Sequence, residues 1–145
     1  MSHQETPTQQ QLLAADNVLL IVDEILPPPG LVPKGEQPAQ KSKELALFLA
    51  IDGAGSVLAF NGHVDLGTGV KTALTQIVAE ELNLRMDQVQ MVLGDTQRAP
   101  NQGATIASAT LQISAVPLRK AAATARQWLL KQTADRWQIS PQEIE

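Results

Sequence analysis

The chain's 145 residues suit one domain or a large piece of one, and 43% hydrophobic content supplies a core where a disordered tract would lack one. A net charge of −4, with 11 Lys and Arg scattered along the chain, excludes the basic footprint of a nucleic-acid or anionic-membrane binder, and 3% aromatics leave few rings for stacking on bases. The absence of cysteine excludes disulfides, thiolate catalysis, thiolate zinc sites and iron–sulfur ligation within this chain.

Residues 1–16 read as a flexible leader or docking arm, polar and Gln-rich as far as Gln9-Gln10-Gln11, and residues 17–145 as the folded part. The opening Met1 to Pro7 has neither a basic start nor an apolar centre, so it does not read as a secretory signal. No run approaches the roughly 18 apolar residues of a membrane span. A cytoplasmic protein is the expectation.

Asn17 to Val22 is dense in branched apolar residues and predicts a strand. Pro27-Pro28-Pro29-Gly30 stops it, and the stretch to Ser42 reads as an extended loop. Strands are expected at Ala46–Ile51 and Val57–Val64, with Asp52-Gly53-Ala54-Gly55 as the tight turn between them. Val70, Leu74, Ile77, Val78 and Leu82 then recur at helical spacing on one face, with Lys71, Thr75, Glu80 and Glu81 on the other. Asn83 to Gln88 connects to a strand, Val89–Leu93, closed by Gly94-Asp95-Thr96, and Gln97 to Gly103 is a loop. From Thr105 an Ala-rich stretch predicts a long helix to about Gln138, kinked or broken at Pro117 by the missing amide and the ring clash. Ser140-Pro141-Gln142-Glu143 has the form of a further helix start. Because Glu145 ends the chain before that element has a body, the chain is expected to be a fragment, or a subunit completed by another chain. The fold class expected is α+β: a small mixed sheet with the amphipathic helix and the Pro-kinked helix on one face.

Two segments could carry chemistry. Gly67-Thr68-Gly69 lies between a strand and a helix, where free amides and the helix dipole attract anions and glycine lets a ligand approach. Taken alone it fits a strand-to-helix turn without a ligand better than a ligand site. It is not a P-loop, since Val70 separates Gly69 from Lys71, and not a dinucleotide fingerprint, since Thr72 stands where the third glycine is needed. Ala104 to Thr110 is small and hydroxylated, which allows close approach either by a ligand or by a neighbouring helix. His63, beside Asp65, reads as a packed or hydrogen-bonded residue, because no spacing to other ligands supports a metal site. Gly-x-Ser-x-Gly is absent, and Asp95 reads as a turn residue capping its own backbone.

In order, Gly62-His63-Val64-Asp65-Leu66-Gly67-Thr68-Gly69, Thr72 to Leu82, Gly94-Asp95-Thr96, Ala99-Pro100-Asn101 and Thr105-Ile106-Ala107-Ser108-Ala109 resemble the molybdopterin-binding region of xanthine dehydrogenase and aldehyde oxidase large subunits. The likeness is nearest to the bacterial nicotinate dehydrogenase and isoquinoline oxidoreductase branch and spans about Leu45 to Leu130. It implies a molybdenum–molybdopterin cofactor, in the cytosine dinucleotide form, held by Leu66, Gly67, Thr68 and Gly69 and by Ala107, Ser108, Ala109 and Thr110. Many relatives have Gln at the position of Thr68 and Glu at that of Asp65, so the Gln contact near the metal is not carried over. No segment matches the family's glutamate base, so no catalytic or metal-ligating residue is expected here. The resemblance further implies hydroxylation of an N-heteroaromatic compound or aldehyde with oxygen from water. Its partners would be the rest of the large subunit and an iron–sulfur subunit. A non-catalytic cofactor-carrying or assembly module, and an unrelated α/β phosphate-ligand protein, are the alternatives.

Overall fold

A computed structural model describes residues 7–25 and 45–144; the expected Pro27–Gly30 strand stop and the loop to Ser42 lie outside the described residues. Among the described residues four strands form one sheet: β1 (Val18–Glu24), β2 (Leu45–Asp52), β3 (Val57–Asn61) and β4 (Val89–Leu93), paired in chain order. The first two pairings are antiparallel and the third is parallel, so the sheet is mixed as expected. A parallel pair needs a crossover, and α2 (Val70–Leu82) supplies it between β3 and β4.

The sheet is apolar on both faces. Ile21, Leu49, Ile51, Val57, Ala59, Val89 and Met91 meet Leu74, Val78 and Leu82 of α2 and Leu118, Ala121, Ala122 and Ala125 of α3 (Ala115–Trp137). The spacing of those α3 residues repeats every third and fourth position, and their small side chains let α3 lie close against α2 and the sheet. Leu47, Ala50, Phe60 and Val92 belong to a second cluster on the other face, with Leu12. Leu12 comes from α1 (Gln9–Leu13), a short helix closed at its start by a reciprocal bond pair between Thr8 and Gln11. The segment read as leader or arm therefore carries a helix with one buried leucine.

A bulge in β2 decides which side chains reach the helices. Ile21 pairs with Leu49 and Val22 with Leu47, which leaves Phe48 without a partner across the ladder. The alternation slips by one residue there, so Phe48 and Leu49 both join the helix-side cluster while Leu47 and Ala50 join the other.

The amphipathic helix lies where its periodicity predicts, with one exception. Thr75, assigned to the solvent face, is buried; its hydroxyl donates to the Lys71 carbonyl at 2.8 Å and so is satisfied within the helix. The helix ends at Asn83 in the left-handed conformation. Two other expectations are corrected. Strand β3 stops at Asn61, three residues short of Val64, because the next amides are taken by side chains of Asn61, Gln102 and Thr105 instead of a neighbouring strand. The long helix does not begin at Thr105. Ala107 and Ser108 are left-handed (φ 52° and 53°), a π-helical turn runs from Thr110 to Ser114, and α3 begins at Ala115. The break expected at Pro117 is not found there: Pro117 sits in the first turn of α3, after the π-helical turn, and the helix runs on through it to Trp137. The segment Ser140–Glu143 closes as one short 3₁₀ turn over Pro141–Glu143.

Candidate cofactor-binding site

The end of β3 and the approach to α3 are joined by side chains that the sequence scatters over fifty residues. The Asn61 carboxamide accepts from the His63 amide (3.1 Å) and donates to the Ser114 carbonyl (3.0 Å). Gln102 accepts from the Gly62 amide (2.8 Å) and donates to the same Ser114 carbonyl (2.9 Å). The His63 imidazole meets the Thr110 hydroxyl at Nδ1 (2.8 Å) and the Ser114 hydroxyl at Nε2 (3.1 Å). Thr105 accepts from the Val64 amide at 3.0 Å. Asn61, His63, Gln102, Thr110 and Ser114 are all buried, and among the described residues no buried side-chain polar atom lacks a partner. His63 is thus hydrogen-bonded and packed, as its sequence context indicates.

Gly62 has a strict reason to be glycine. A Cβ there would overlap the Pro100 carbonyl oxygen and stand 3.0 Å from the Gln102 nitrogen. Only a bare backbone lets the 100–102 loop close over the end of β3.

The first predicted segment carries an anion already. Asp65 folds back so that Oδ1 accepts from the amides of Gly67 (2.9 Å), Thr68 (2.9 Å) and Gly69 (3.2 Å), and Oδ2 from Lys71 (3.1 Å) at the start of α2. Gly67 and Gly69 take left-handed backbone (φ 89° and 76°), which curls successive amides around one point. The anion attraction inferred for this helix start is real, but the protein's own carboxylate satisfies it. In this structure the amides of Gly67, Thr68 and Gly69 are taken by Asp65. What the loop presents outward is its exposed edge, including Leu66 at 73% exposure.

These bonds, led by that from Lys71 and outweighing desolvation, hold the Asp65 carboxyl below its ordinary value of 3.8. A depressed carboxylate contributes fully above its unfolded value and loses that contribution as pH falls through the folded one. Amide protection at Gly67, Thr68, Gly69 and Lys71 is therefore expected to hold at neutral pH and to collapse once acid reaches below the usual carboxylate range. Asp65→Asn is expected to abolish it at Lys71 even at pH 7, since an amide offers one acceptor oxygen where the carboxylate offers two. Hydrogen exchange corrected for intrinsic rates checks both; protection that persists in acid would refute this capping.

The second segment divides in two. Ala107 and Ser108 are exposed on the left-handed turn, whereas Ala109 (2%) and Thr110 (6%) are buried, the Thr110 hydroxyl against His63. The helical run opens at Thr110 and not at Thr105, because the bonds from Thr105 to Val64 and from Gln102 to Gly62 hold the preceding residues out of helix. Of the eight candidate residues, Thr110 is the one tied directly to the β3 end that carries the first loop. Asn61, Gln102 and Ser114 were missed by sequence reasoning: each is an isolated polar residue in an apolar or loop context, with no spacing to mark it. Asp95 does cap its own turn, accepting from the amides of Gln97 (2.9 Å) and Arg98 (3.0 Å) and pairing with the Arg98 guanidinium. Among the described residues no cluster of His, Asp and Glu could hold a metal ion.

The arrangement is that of a small α+β fold in which the Asp65-capped loop and the exposed Ala107–Ser108 turn are linked through the His63–Thr110 bond. Residues 30–145 match the family model described as "Molybdopterin cofactor-binding domain", and the chain belongs to that family. It is 68% identical over 145 residues to a nicotinate dehydrogenase subunit of Pseudomonas putida, covering 99% of this chain and 12% of that protein. It is 31% identical over 70 residues to aldehyde oxidase 1 of Oryctolagus cuniculus, covering 48% of this chain and 5% of that protein. The fold is shared with CO dehydrogenase from Oligotropha carboxidovorans, at TM-score 0.63 and 20% identity, over 89% of this chain and 16% of that one. The chain spans about an eighth of the P. putida relative.

Proposed function

We propose that this chain is the cofactor-holding part of a molybdenum hydroxylase that oxidises an N-heteroaromatic compound or an aldehyde with oxygen taken from water. The observation that carries this reading is the 68% identity, over almost the whole chain, to a protein named as a nicotinate dehydrogenase subunit. The cofactor is a molybdenum–molybdopterin, in the cytosine dinucleotide form, and when bound it supplies oxo transfer and accepts the electron pair. This chain has no cysteine to ligate an iron–sulfur cluster, so clusters that would take up the electrons would be held by a partner chain. The remainder of the large subunit supplies the general base and the substrate pocket. The complex is cytoplasmic; among the described residues no helix is long and apolar enough to cross a membrane.

Leu66, Gly67, Thr68 and Gly69 form one edge of the holding site and Ala107, Ser108, Ala109 and Thr110 the other. The residues present fit a flat, polar-rimmed ring system through backbone and small side chains at Ala107 and Ser108, both exposed. Asp65 stiffens the first edge by occupying its amides, so this edge contacts the cofactor by shape and exposed backbone, not by an amide nest.

Elemental analysis of the native complex, alongside intact masses, tests the reading. The expected result is molybdenum near one per complex, with this chain's sequence in the molybdenum-bearing subunit; no molybdenum in any fraction would refute it. Gly67→Val places a β-branched side chain on left-handed backbone at φ 89°, in open space on the outer edge. Molybdenum content of the assembled variant is expected to fall severalfold while α2 stays helical by circular dichroism. Unchanged content would remove Gly67 from the site.

A further inference from the structure

We infer that His63 is a positioning residue: its imidazole, bonded on one edge to Thr110 and on the other to Ser114, fixes the Ala107–Ser108 turn relative to the Asp65–Gly69 loop. The inference deepens the cofactor-holding reading above and rests on it.

The segment Asn61–Val64 and the segment Gln102–Ser114 are held together by polar bonds along their whole length, through Asn61, Gln102, His63 and Thr105. Apolar packing could close the same gap, but it tolerates slippage that a hydrogen-bond length does not. The imidazole is the member that reaches both ends of the π-helical turn, since Thr110 opens it and Ser114 closes it. A neutral imidazole donates from one nitrogen and accepts at the other, so one hydroxyl gives a proton and the other receives one. Such a chain fails as a unit when any link is lost.

What this holds is strained. Ala107 and Ser108 occupy left-handed backbone that neither residue type favours, and it persists only where the surroundings over-determine it. The restraints flank the strain: Thr105 bonds the Val64 amide on one side, and Thr110 bonds His63 on the other. Both lead to the two residues immediately before Asp65, which anchors the first loop. Loosening His63 therefore changes the separation of the two edges without touching any exposed surface.

The test uses the assembled molybdenum enzyme and reads the rate at which pterin is released on warming, by fluorescence of the oxidised pterin, beside its melting temperature. Thr110→Val removes the hydroxyl at nearly constant shape and is expected to release pterin about tenfold faster, the scale of one lost buried hydrogen bond. Thr110→Ser restores the hydroxyl and is expected to rescue retention. His63→Asn places an amide near Nδ1 and is expected to resemble Thr110→Ser; His63→Gln reaches only the Ser114 side and is expected to resemble Thr110→Val. Val78→Ala, a core cavity in α2 away from both edges, is the control: it lowers the melting temperature but leaves the release rate unchanged. Equal release from Val78→Ala and Thr110→Val at equal loss of melting temperature overturns the inference in favour of plain stability. So does wild-type retention in Thr110→Val, or His63→Gln outperforming His63→Asn. A wild-type complex that carries no molybdenum pterin overturns the cofactor reading itself, and the inference with it.

Discussion

Gly62→Ala is expected to destabilise the fold by about 3 kcal/mol, the upper end of overpacking costs, through a single methyl group. The new Cβ meets backbone: the Pro100 carbonyl oxygen overlaps it, and the Gln102 nitrogen and Pro100 carbonyl carbon stand 3.0 and 3.2 Å away. A flexible side chain could swing aside, but here the 100–102 loop must move as a body. Moving it pulls Gln102 from the Gly62 amide and from the Ser114 carbonyl, and leaves buried polar groups unpaired. The measurement is the urea midpoint at constant slope, with amide exchange at Gly62 as the local probe. A cost below about 1 kcal/mol would mean that the loop yields freely, and that the network beneath it does not fix its position.

Phe48→Ala is expected to cost about 3–5 kcal/mol, the range for deleting a buried ring that neighbours only partly refill. Phe48 is wholly buried, and it faces the helices only because the bulge in β2 turns two consecutive residues to one side. A regular strand would send it to the opposite face from Leu49. Phe48→Leu is expected to lose less than about 1.5 kcal/mol, since volume and apolarity are largely kept. Chemical denaturation of both variants decides; an alanine variant as stable as the leucine one would contradict a ring packed between sheet and helices.

Much of the architecture was legible in one dimension because it follows from local periodicity. Val70 to Leu82 repeats its apolar residues with a helical period, and Val89 to Leu93 is a short branched run, so both elements lie where the pattern puts them. The fold class and the family could be read for the same reason: several short motifs in a fixed order are far more specific than any one of them. The candidate site was legible only as two segments. That Gly67-Thr68-Gly69 curls its amides around an anion follows from its glycines, but which anion is a matter of geometry. In this structure it is the Asp65 carboxylate, two residues upstream of Gly67.

The errors share a cause. Thr105 to Thr110 has the propensity of a helix start, yet Thr105 and Gln102 are claimed by Val64 and Gly62 across the fold, and those bonds outweigh propensity. Thr75 was assigned to the solvent face, but packing of the helix in the fold buries it, and its hydroxyl is satisfied at the Lys71 carbonyl. The sequence by itself determined composition, the local elements, the face of the first long helix and the family. Those depend on side chains spaced within a few turns of one another. The tertiary structure alone decided the bulge at Phe48, the capture of the first loop by Asp65 and the network centred on His63. In the network and the bulge, the partners lie far apart in sequence and meet only once the sheet has formed, so no local pattern can encode the distance between them.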